Sequence, residues 1–179
     1  MSEKLSIGMK APDFNFITAW NAENNFYKNI SGKKNILIFL RYYGCTACQL
    51  QILKLVKNYE RFKEKDIQLF VVLQSAPETI REQDNKGEMP FTIICDPSQE
   101  LYKLYNTSAA KNMLGLGSLN LLKKVEEAKK LGLAHGKYEG NELQLPATFV
   151  MDEEGIIKFV HYGQDAGDVP DIDELLKLI

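Results

Sequence analysis

The sequence predicts a single α/β domain in which a central mixed β-sheet is flanked by helices. Three observations predict it. Apolar runs of strand length alternate with helical patterns in the first half of the chain, a strand hairpin follows near the end, and a helical segment intervenes between them. A chain of 179 residues is long enough for a real core and has the usual length of one domain, so we assign residues 1–179 to one unit.

The first half of the chain alternates between predicted strands and helices. Residues 13–18 form a weak strand pattern whose hairpin partner is expected within NNFYKNI. The run KKNILIFLRYY is typical of a strand buried on both faces. From residue 46 to about residue 65, apolar residues recur at steps of three and four, which predicts an amphipathic helix.

Two further buried strands are predicted from IQLFVVLQ and PFTIICD. Between them, Pro77 begins a short polar helix at the position where proline is tolerated. After the second of these strands, Ser98 is expected to be the N-cap of a helix in QELYKLY.

The last third of the chain contains an insert and a closing hairpin. In the insert, residues 106–144, Ser118 is expected to cap a helix that stops at Gly132, and a loop follows. The segment ATFVMDEEGIIKFVHYG predicts a hairpin, and a last helix begins at Pro170 and Asp171. Strands joined by helical crossovers are parallel, whereas the closing hairpin is antiparallel. This order favours a thioredoxin-like fold, with a helical insert before the hairpin, over a doubly wound nucleotide-binding fold.

Composition and charge exclude several classes of partner. The net charge is −2 and the chain has no dense basic block, so we expect neither nucleic acid nor an anionic membrane surface as a partner. The N-terminus lacks the apolar core of a signal peptide, and no apolar run reaches the length of a membrane helix. Three cysteines, an odd number, do not make a secreted disulfide framework. We therefore expect a cytoplasmic protein.

Cys45 and Cys48 are the chemically suggestive residues, because they lie where a buried strand ends and a helix begins. Free N–H groups and the macrodipole at a helix N-terminus favour an anion, and they lower the pKa of a thiol from its usual ~8.5. Side chains at i and i+3 lie about 5–6 Å apart at Cβ. A disulfide needs about 3.8 Å, so a modest local adjustment closes the ring. The pair is expected to cycle between a dithiol and a disulfide.

Two other interpretations of the pair remain open from the residues alone. Buried cysteines can pack as small hydrophobic residues. A zinc site usually needs four ligands, and only Cys95, His135 and His161 remain, with no two of them close in sequence. The position of the pair directly after a strand favours redox chemistry over both, with no metal and no cofactor. Cys95 closes a buried strand and is expected to pack, and His135 is a loop histidine without an evident partner.

Four stretches of the chain carry a resemblance to a known family. They are IGMKAPDFNF, NILIFLRYYGCTACQLQ, FTIICDPSQELYKLYN, and PATFVMDEEGIIKFVHYG followed by AGDVPDIDELL. In this order they resemble the peroxiredoxin-like (AhpC/TSA, alkyl hydroperoxide reductase/thiol-specific antioxidant) branch of the thioredoxin-like superfamily, whereas residues 106–144 match only loosely. The resemblance implies a thiol-dependent antioxidant enzyme that reduces peroxides and is re-reduced by a thioredoxin-like protein or a low-molecular-weight thiol.

The chain departs from the family pattern at three positions. Peroxiredoxins carry Pro-x-x-x-Thr-x-x-Cys; with Cys48 aligned as the peroxidatic cysteine, Arg41 stands at the proline position and Cys45 at the threonine position. The family's later arginine is replaced by Pro146. Pro146 resembles the cis-proline of thioredoxins, so we expect a cis bond opposite the pair and free backbone groups at Leu145. Arg41 either lowers the pKa of the thiolates or is a solvated charge at a strand end.

These departures leave three functions open. Reduction of peroxides by the Cys45–Cys48 couple is preferred, while the lost threonine and arginine positions favour reduction of protein disulfides. The third is a non-enzymatic redox sensor in which the insert binds a partner. Peroxide is small enough to reach Cys48 beside the helix, so we expect Cys48 to attack peroxide, whereas a protein disulfide would meet Cys45. The oligomeric state has no signature in the sequence.

Mild oxidation is predicted to join Cys45 to Cys48 and to leave Cys95 as a free thiol, because the first two share a helical turn and the third belongs to a buried strand. Peptide mapping by mass spectrometry after stoichiometric peroxide measures this. A dominant Cys48–Cys95 disulfide would refute both the pairing and the packing role of Cys95.

Overall fold

The computed structural model describes residues 3–30, 32–84 and 87–178. Seven strands and eight helices are found within them. In chain order they are β1 (Asn15–Phe16), β2 (Asn24–Asn25), α1 (Phe26–Ile30), β3 (Lys34–Phe39), α2 (Thr46–Lys57), α3 (Tyr59–Lys63), β4 (Ile67–Leu73), α4 (Pro77–Gln83), β5 (Thr92–Cys95), α5 (Glu100–Leu104), α6 (Met113–Leu116), α7 (Leu119–Lys130), β6 (Ala147–Met151), β7 (Ile157–Tyr162) and α8 (Ile172–Lys177).

The central sheet has five strands in the order β5-β4-β3-β6-β7. Strands β3, β4 and β5 are parallel, whereas β6 is antiparallel to both β3 and β7. This arrangement confirms the predicted mixed sheet and its closing hairpin. Because β3 is the central strand, the segment that follows it emerges at the middle of the sheet edge. The carboxyl ends of parallel strands at such an edge are the usual place for a site in an open α/β sheet.

The core lies on both faces of the sheet, which explains the unbroken apolar run in β3. Ile36 and Ile38 point to one face, into a cluster that also holds residues of α2 and α8. Leu37 and Phe39 point to the other face, where an aromatic cluster gathers. Its members include Phe26, Phe70, Tyr102, Tyr105 and Phe149. The ring centroid of Phe39 lies 5.2–5.9 Å from those of Tyr102, Tyr105 and Phe149, and the centroids of Phe26 and Phe70 are 5.3 Å apart. The alternation of side chains along a strand thus fills two layers.

Several local predictions are confirmed and others need correction. Ser118 caps α7, its hydroxyl accepting the Leu121 N–H at 2.9 Å. The predicted helix from residue 46 to about 65 is two helices, because the backbone leaves the helical region at Asn58 (φ −109°, ψ 9°). Residues 24–25 pair with β1 as expected, but the rest of the predicted partner strand is the short helix α1.

Ser98 is not the N-cap of α5. Gln99 occupies that position with a positive φ of 59°. The first N–H groups of the helix are instead satisfied by Asp96, whose two carboxylate oxygens accept from Glu100 at 3.1 Å and Leu101 at 2.8 Å. Ser98 only donates its hydroxyl to the same carboxylate, at 3.0 Å. A carboxylate accepts hydrogen bonds at a helix N-terminus more strongly than a hydroxyl, because it is charged.

The predicted cis bond before Pro146 is wrong. No cis peptide bond occurs among the described residues. The expectation of free backbone groups at Leu145 is also wrong, since its N–H donates to the Ser108 carbonyl at 3.0 Å and its carbonyl accepts from Gln144 Nε2 at 3.0 Å. Both groups are used by the insert. A trans X-Pro bond is favoured by about 0.5–1 kcal/mol when nothing compensates for the cis form, and these contacts are made with the trans bond.

The insert packs against the sheet and against α2. Ala128 of α7 is fully buried, and Glu127 accepts a hydrogen bond from Lys54 of α2 at 2.9 Å. Beyond α7 the chain crosses back as the predicted loop before it enters β6. Within the three described ranges, no helix has both the length and the apolar character needed to span a bilayer.

Phe149→Ala is expected to lower the free energy of unfolding by about 3–5 kcal/mol, because it removes a fully buried ring from the aromatic cluster and leaves a cavity. Phe159→Ala, in the paired strand of the same hairpin but only half-buried, serves as the control and should cost clearly less. Urea denaturation of the two variants measures the difference. Equal losses would contradict the assignment of Phe149 to the centre of the core.

Candidate active site

Both cysteines of the pair are buried at the start of α2. Cys45 is the N-cap residue with extended backbone angles (φ −69°, ψ 121°), and Cys48 lies in the first helical turn. Their exposed fractions are 0% and 3%. The strand that precedes them is held to its neighbour up to Leu40, whose N–H donates to the Val72 carbonyl at 3.0 Å, so the turn into α2 starts from a fixed point.

The sulfur of Cys45 is surrounded by hydrogen-bond donors. Arg41 Nη2 donates to it at 3.0 Å, and the Cys48 backbone N–H, one of the free donors of the helix start, donates at 3.4 Å. The Cys48 thiol donor, together with the Arg41 charge and the helix N–H, outweighs burial and lowers the pKa of Cys45 to about 6. Cys45 is therefore a thiolate at neutral pH.

The pKa values of Cys48 and Cys95 are raised, whereas that of Cys45 is lowered. Burial, followed by the hydrogen bond to Cys45, raises the pKa of Cys48 well above its ordinary value, so this sulfur keeps its proton. Burial also raises the pKa of Cys95, to about 12. Cys95 lies at the end of β5, where its backbone N–H donates to the Ile17 carbonyl at 2.9 Å. One thiolate and one adjacent protonated thiol thus form the pair, and Cys95 is buried as expected.

Arg41 is a direct neighbour of the thiolate. Besides its bond to Cys45, its Nη1 donates to the Glu142 carbonyl at 2.8 Å. Burial alone would lower the pKa of Arg41, but the charges of Cys45 and Cys48 raise it overall, so the guanidinium stays positive. Its Nε is buried and has no hydrogen-bond partner among the described residues. Of the two interpretations of Arg41, the structure supports contact with the thiolate.

The backbone that carries Arg41 is fixed by neighbouring elements. Its carbonyl accepts from the Gln74 backbone N–H at 2.8 Å and from Gln74 Nε2 at 3.2 Å. The buried hydroxyl of Tyr102 donates to the carbonyls of Leu40 at 2.6 Å and Val72 at 3.0 Å. The end of the central strand is therefore rigidly placed, and with it the guanidinium that contacts Cys45.

The loop after α7 covers the pair. We call residues 133–144 the strap. Gly136 N–H donates to the Gly44 carbonyl at 2.8 Å, and Gln49 Nε2 donates to the Ala134 carbonyl at 2.8 Å. The approach at Gly44 is so close that a β-carbon there would collide with the backbone carbonyl of Lys137. Glycine is required at Gly44 because the strap crosses directly over it.

His135 in the strap has partners that sequence reasoning missed. Its ring stacks on Tyr138 with centroids 4.2 Å apart, and its Nε2 lies 3.2 Å from the buried Tyr42 hydroxyl. Tyr42 and His135 are 93 positions apart in the sequence, so no local pattern links them. Gln49, Gln74 and the strap were likewise absent from the predicted site. The glycines of AHGKYEG were the one available signal, since a close approach of backbones requires glycine.

Three of the four predicted site residues are brought together. Cys45, Cys48 and Arg41 are in contact, whereas Pro146 packs against the backbone of Gly163. Pro146 still lies beside the end of β3, because the next residue, Ala147, pairs with Phe39. The described parts of the chain contain no cluster of three or more His, Cys, Asp or Glu that would hold a metal ion.

We compared the chain with protein-family models, curated protein sequences and solved structures. A family model described as "AhpC/TSA family" matches residues 7–160. No curated protein sequence matches the chain. Among solved structures, the reduced 2-Cys peroxiredoxin of Plasmodium vivax is similar, with 17% identity, a TM-score of 0.67, and coverage of 96% of this chain and 79% of that chain.

Two other solved structures show the same fold at equally low identity. The yeast mitochondrial 1-Cys peroxiredoxin has 17% identity and a TM-score of 0.68, with coverage of 97% of this chain and 74% of that chain. A thiol peroxidase from Chromobacterium violaceum has 12% identity and a TM-score of 0.67, with coverage of 99% and 88%. These likenesses establish the thioredoxin-like fold that the sequence predicted.

The rate of Cys45 alkylation by iodoacetamide is expected to rise with pH around a midpoint near 6, because the thiolate is the reactive form and its pKa is lowered to about 6. Arg41→Gln should move the midpoint upward by about one pH unit or more, since it removes both the charge and a hydrogen bond. Mass spectrometry of the Cys45 peptide at a series of pH values measures both.

Arg61→Gln is the matched control for this experiment, because Arg61 is half-exposed, pairs with Asp173 at 2.7 Å and should leave the midpoint unchanged. A wild-type midpoint above pH 8, or identical midpoints in wild type and Arg41→Gln, would contradict the assignment of Cys45 as the thiolate.

Proposed function

The chain belongs to the AhpC/TSA family of thiol-dependent peroxidases and is an oxidoreductase, and from this premise we propose that Cys45 and Cys48 form its single dithiol–disulfide couple. One observation carries the proposal: the Cys45 sulfur accepts hydrogen bonds from Arg41 and from the Cys48 N–H at the start of α2. A thiolate so placed is both stabilised and oriented. The protonated Cys48 thiol beside it is the partner that such a thiolate needs after oxidation.

In the first step, the Cys45 thiolate attacks one oxygen of the peroxide. A sulfur–oxygen bond forms, the oxygen–oxygen bond breaks, and Cys45 becomes a sulfenic acid. The departing oxygen carries a negative charge and takes a proton from solvent to leave as water or an alcohol. Arg41 supports this step, because its guanidinium donates to the Cys45 sulfur through Nη2 and so places a positive charge beside the oxygen on which negative charge develops.

In the second step, Cys48 attacks the sulfur of the Cys45 sulfenic acid. The disulfide forms, and the hydroxyl of the sulfenic acid leaves as water with the proton of Cys48. No large movement is needed, because both cysteines lie at the start of α2 and the Cys48 backbone N–H is 3.4 Å from the Cys45 sulfur. We further propose that a thioredoxin-like protein or a low-molecular-weight thiol returns two electrons and two protons to the pair. Such recycling suits a reducing compartment, the cytoplasm.

Cys45, and not Cys48, is proposed as the sulfur that attacks first. The sequence interpretation favoured Cys48 for peroxide because of its position in the family pattern. Cys45, however, has the charge-assisted donors, whereas burial holds the proton on Cys48. Reduction of protein disulfides is less favoured by the contacts, because Cys45 is fully buried beneath the strap and a protein disulfide must meet an accessible sulfur.

After one equivalent of hydrogen peroxide, Cys48→Ser is expected to accumulate sulfenic acid on Cys45, because attack proceeds and resolution does not. Cys45→Ser should form little sulfenic acid, since the pKa of Cys48 is raised by burial. Dimedone labelling and peptide mapping measure both. In the same assay, Cys95→Ser is the control and should behave like wild type in coupled turnover with a thioredoxin system.

One result would change which cysteine is proposed to attack first, and another would change the proposed function. Label on Cys48 in Cys45→Ser, with none on Cys45 in Cys48→Ser, would make Cys48 the attacking sulfur. Wild-type protein that is oxidised once by peroxide but is not recycled by either thiol system would favour the redox sensor over the enzyme.

A further inference from the structure

The strap is the feature of the site that the redox chemistry does not explain. It belongs to the insert, residues 106–144, which matched the family pattern least well. Cys45 is 0% exposed, the strap crosses over the adjacent Gly44, and Arg41, which donates to the Cys45 sulfur, is held by the Glu142 carbonyl of the strap. A thiolate enzyme has to admit its oxidant, so complete burial of the attacking sulfur calls for an explanation.

The strap is anchored at points away from the cysteines. Glu139 Oε1 accepts from the Thr79 hydroxyl at 2.7 Å and from the Ala76 N–H at 3.2 Å. Asn141 is held from both sides by the amide of Gln74, which accepts its N–H at 2.7 Å and donates to its carbonyl at 3.2 Å. These polar bonds fix the strap to the end of β4 and the start of α4. The bond from Thr79 can be broken without touching the pair, whereas Gln74 also donates to the Arg41 carbonyl.

The space left beside the pair is very small. A cavity borders Cys48 and is also lined by Leu40, Gln51, Lys124 and Val169, and its volume is about 10 Å³. A cavity of this size holds about one water-sized molecule. Lys124 belongs to α7, so the insert bounds the cavity beside Cys48 and, through the strap, also contacts Gly44 next to Cys45. Hydrogen peroxide is only slightly larger than water, whereas an organic hydroperoxide with an aromatic group is many times larger.

We propose that the strap selects the oxidant by size, so that the closed site reacts with hydrogen peroxide and excludes bulky organic hydroperoxides. Gly140 and Thr79 are the specificity-determining residues outside the redox pair. This proposal rests on the peroxidase function proposed above. A bulky oxidant reaches Cys45 only in the fraction of molecules whose strap has left Gly44, and its rate is reduced by that fraction.

The experiment opens the strap in two independent ways. Gly140 has a positive φ of 63°, and a β-carbon there would lie 2.5 Å from Gln74 Oε1, so Gly140→Ala displaces the strap from Gln74. Thr79→Val removes the hydroxyl bond to Glu139 with little change in shape. Gly8→Ala is the matched control, because Gly8 also has a positive φ, 89°, but has nothing within 4 Å of its β-carbon position.

Two rate ratios are measured for each protein. The first compares alkylation of Cys45 by a bulky maleimide in the native protein and in the urea-unfolded protein, which requires no peroxidase activity. The second compares oxidation by cumene hydroperoxide and by hydrogen peroxide. Both ratios should rise about tenfold in Gly140→Ala and Thr79→Val if the wild-type strap is open in about a tenth of molecules or fewer. Neither ratio should change in Gly8→Ala.

Hydrogen exchange over residues 133–144 shows whether the strap has opened in each variant. Faster exchange with unchanged rate ratios would overturn size selection. Unchanged exchange in both variants would overturn the assignment of these anchors, and if Gly140→Ala fails to fold, Thr79→Val still decides the outcome. If the maleimide ratio rises in the strap variants but the protein has no turnover with peroxide, the proposed peroxidase function is refuted, whereas control of access to Cys45 by the strap is not.

Discussion

The charge-assisted hydrogen bond between Arg41 and Cys45 is the interaction on which the rest of the site depends. A buried thiolate costs free energy unless donors and an opposite charge compensate for lost hydration. The central strand provides both, because it delivers Arg41 at its end and the N-cap sulfur a few residues later. The same guanidinium holds the Glu142 carbonyl, so one side chain connects the reactive sulfur to the strap. Charge, burial and closure of the site are therefore properties of a single group of contacts.

Oxidation changes the electrostatics of this group. The proposed Cys45–Cys48 disulfide removes the negative charge on Cys45, while Arg41 remains positive. A half-buried cation that has lost its counter-ion is less well compensated, and it gains from contact with water. The bond from Arg41 to the Glu142 carbonyl then loses part of its support.

Features that depend on residues close together in the chain could be predicted from the sequence, whereas contacts between residues far apart in the chain could not. The strands, the mixed sheet and the position of the pair at a helix start were predictable, because periodicity and helix-capping chemistry are local. The role of Arg41 was open, because a strand-end charge has the same local pattern in either environment. The strap was missed, because its bonds join residues separated by 60 to 101 positions. Pro146 was predicted to be cis by resemblance, but the bond is trans, and the backbone groups of Leu145 before it bond to Ser108 and Gln144 of the insert, where the resemblance is weakest.

The departures from the family pattern are easier to understand in space than along the chain. The family places an arginine just before the hairpin strand, where this chain has Pro146. Strand β6 is paired with β3 so that Ala147 lies opposite Phe39, and Pro146 is therefore beside the end of the strand that carries Arg41. The positive charge has moved from one strand end to the neighbouring one, while the sulfur that it contacts has moved from the position of Cys48 to that of Cys45. Arginine and thiolate have shifted together. The helix start still stabilises the anion, because the Cys48 N–H donates to the Cys45 sulfur, and Cys48 at the family's cysteine position is the resolving thiol in the function proposed above.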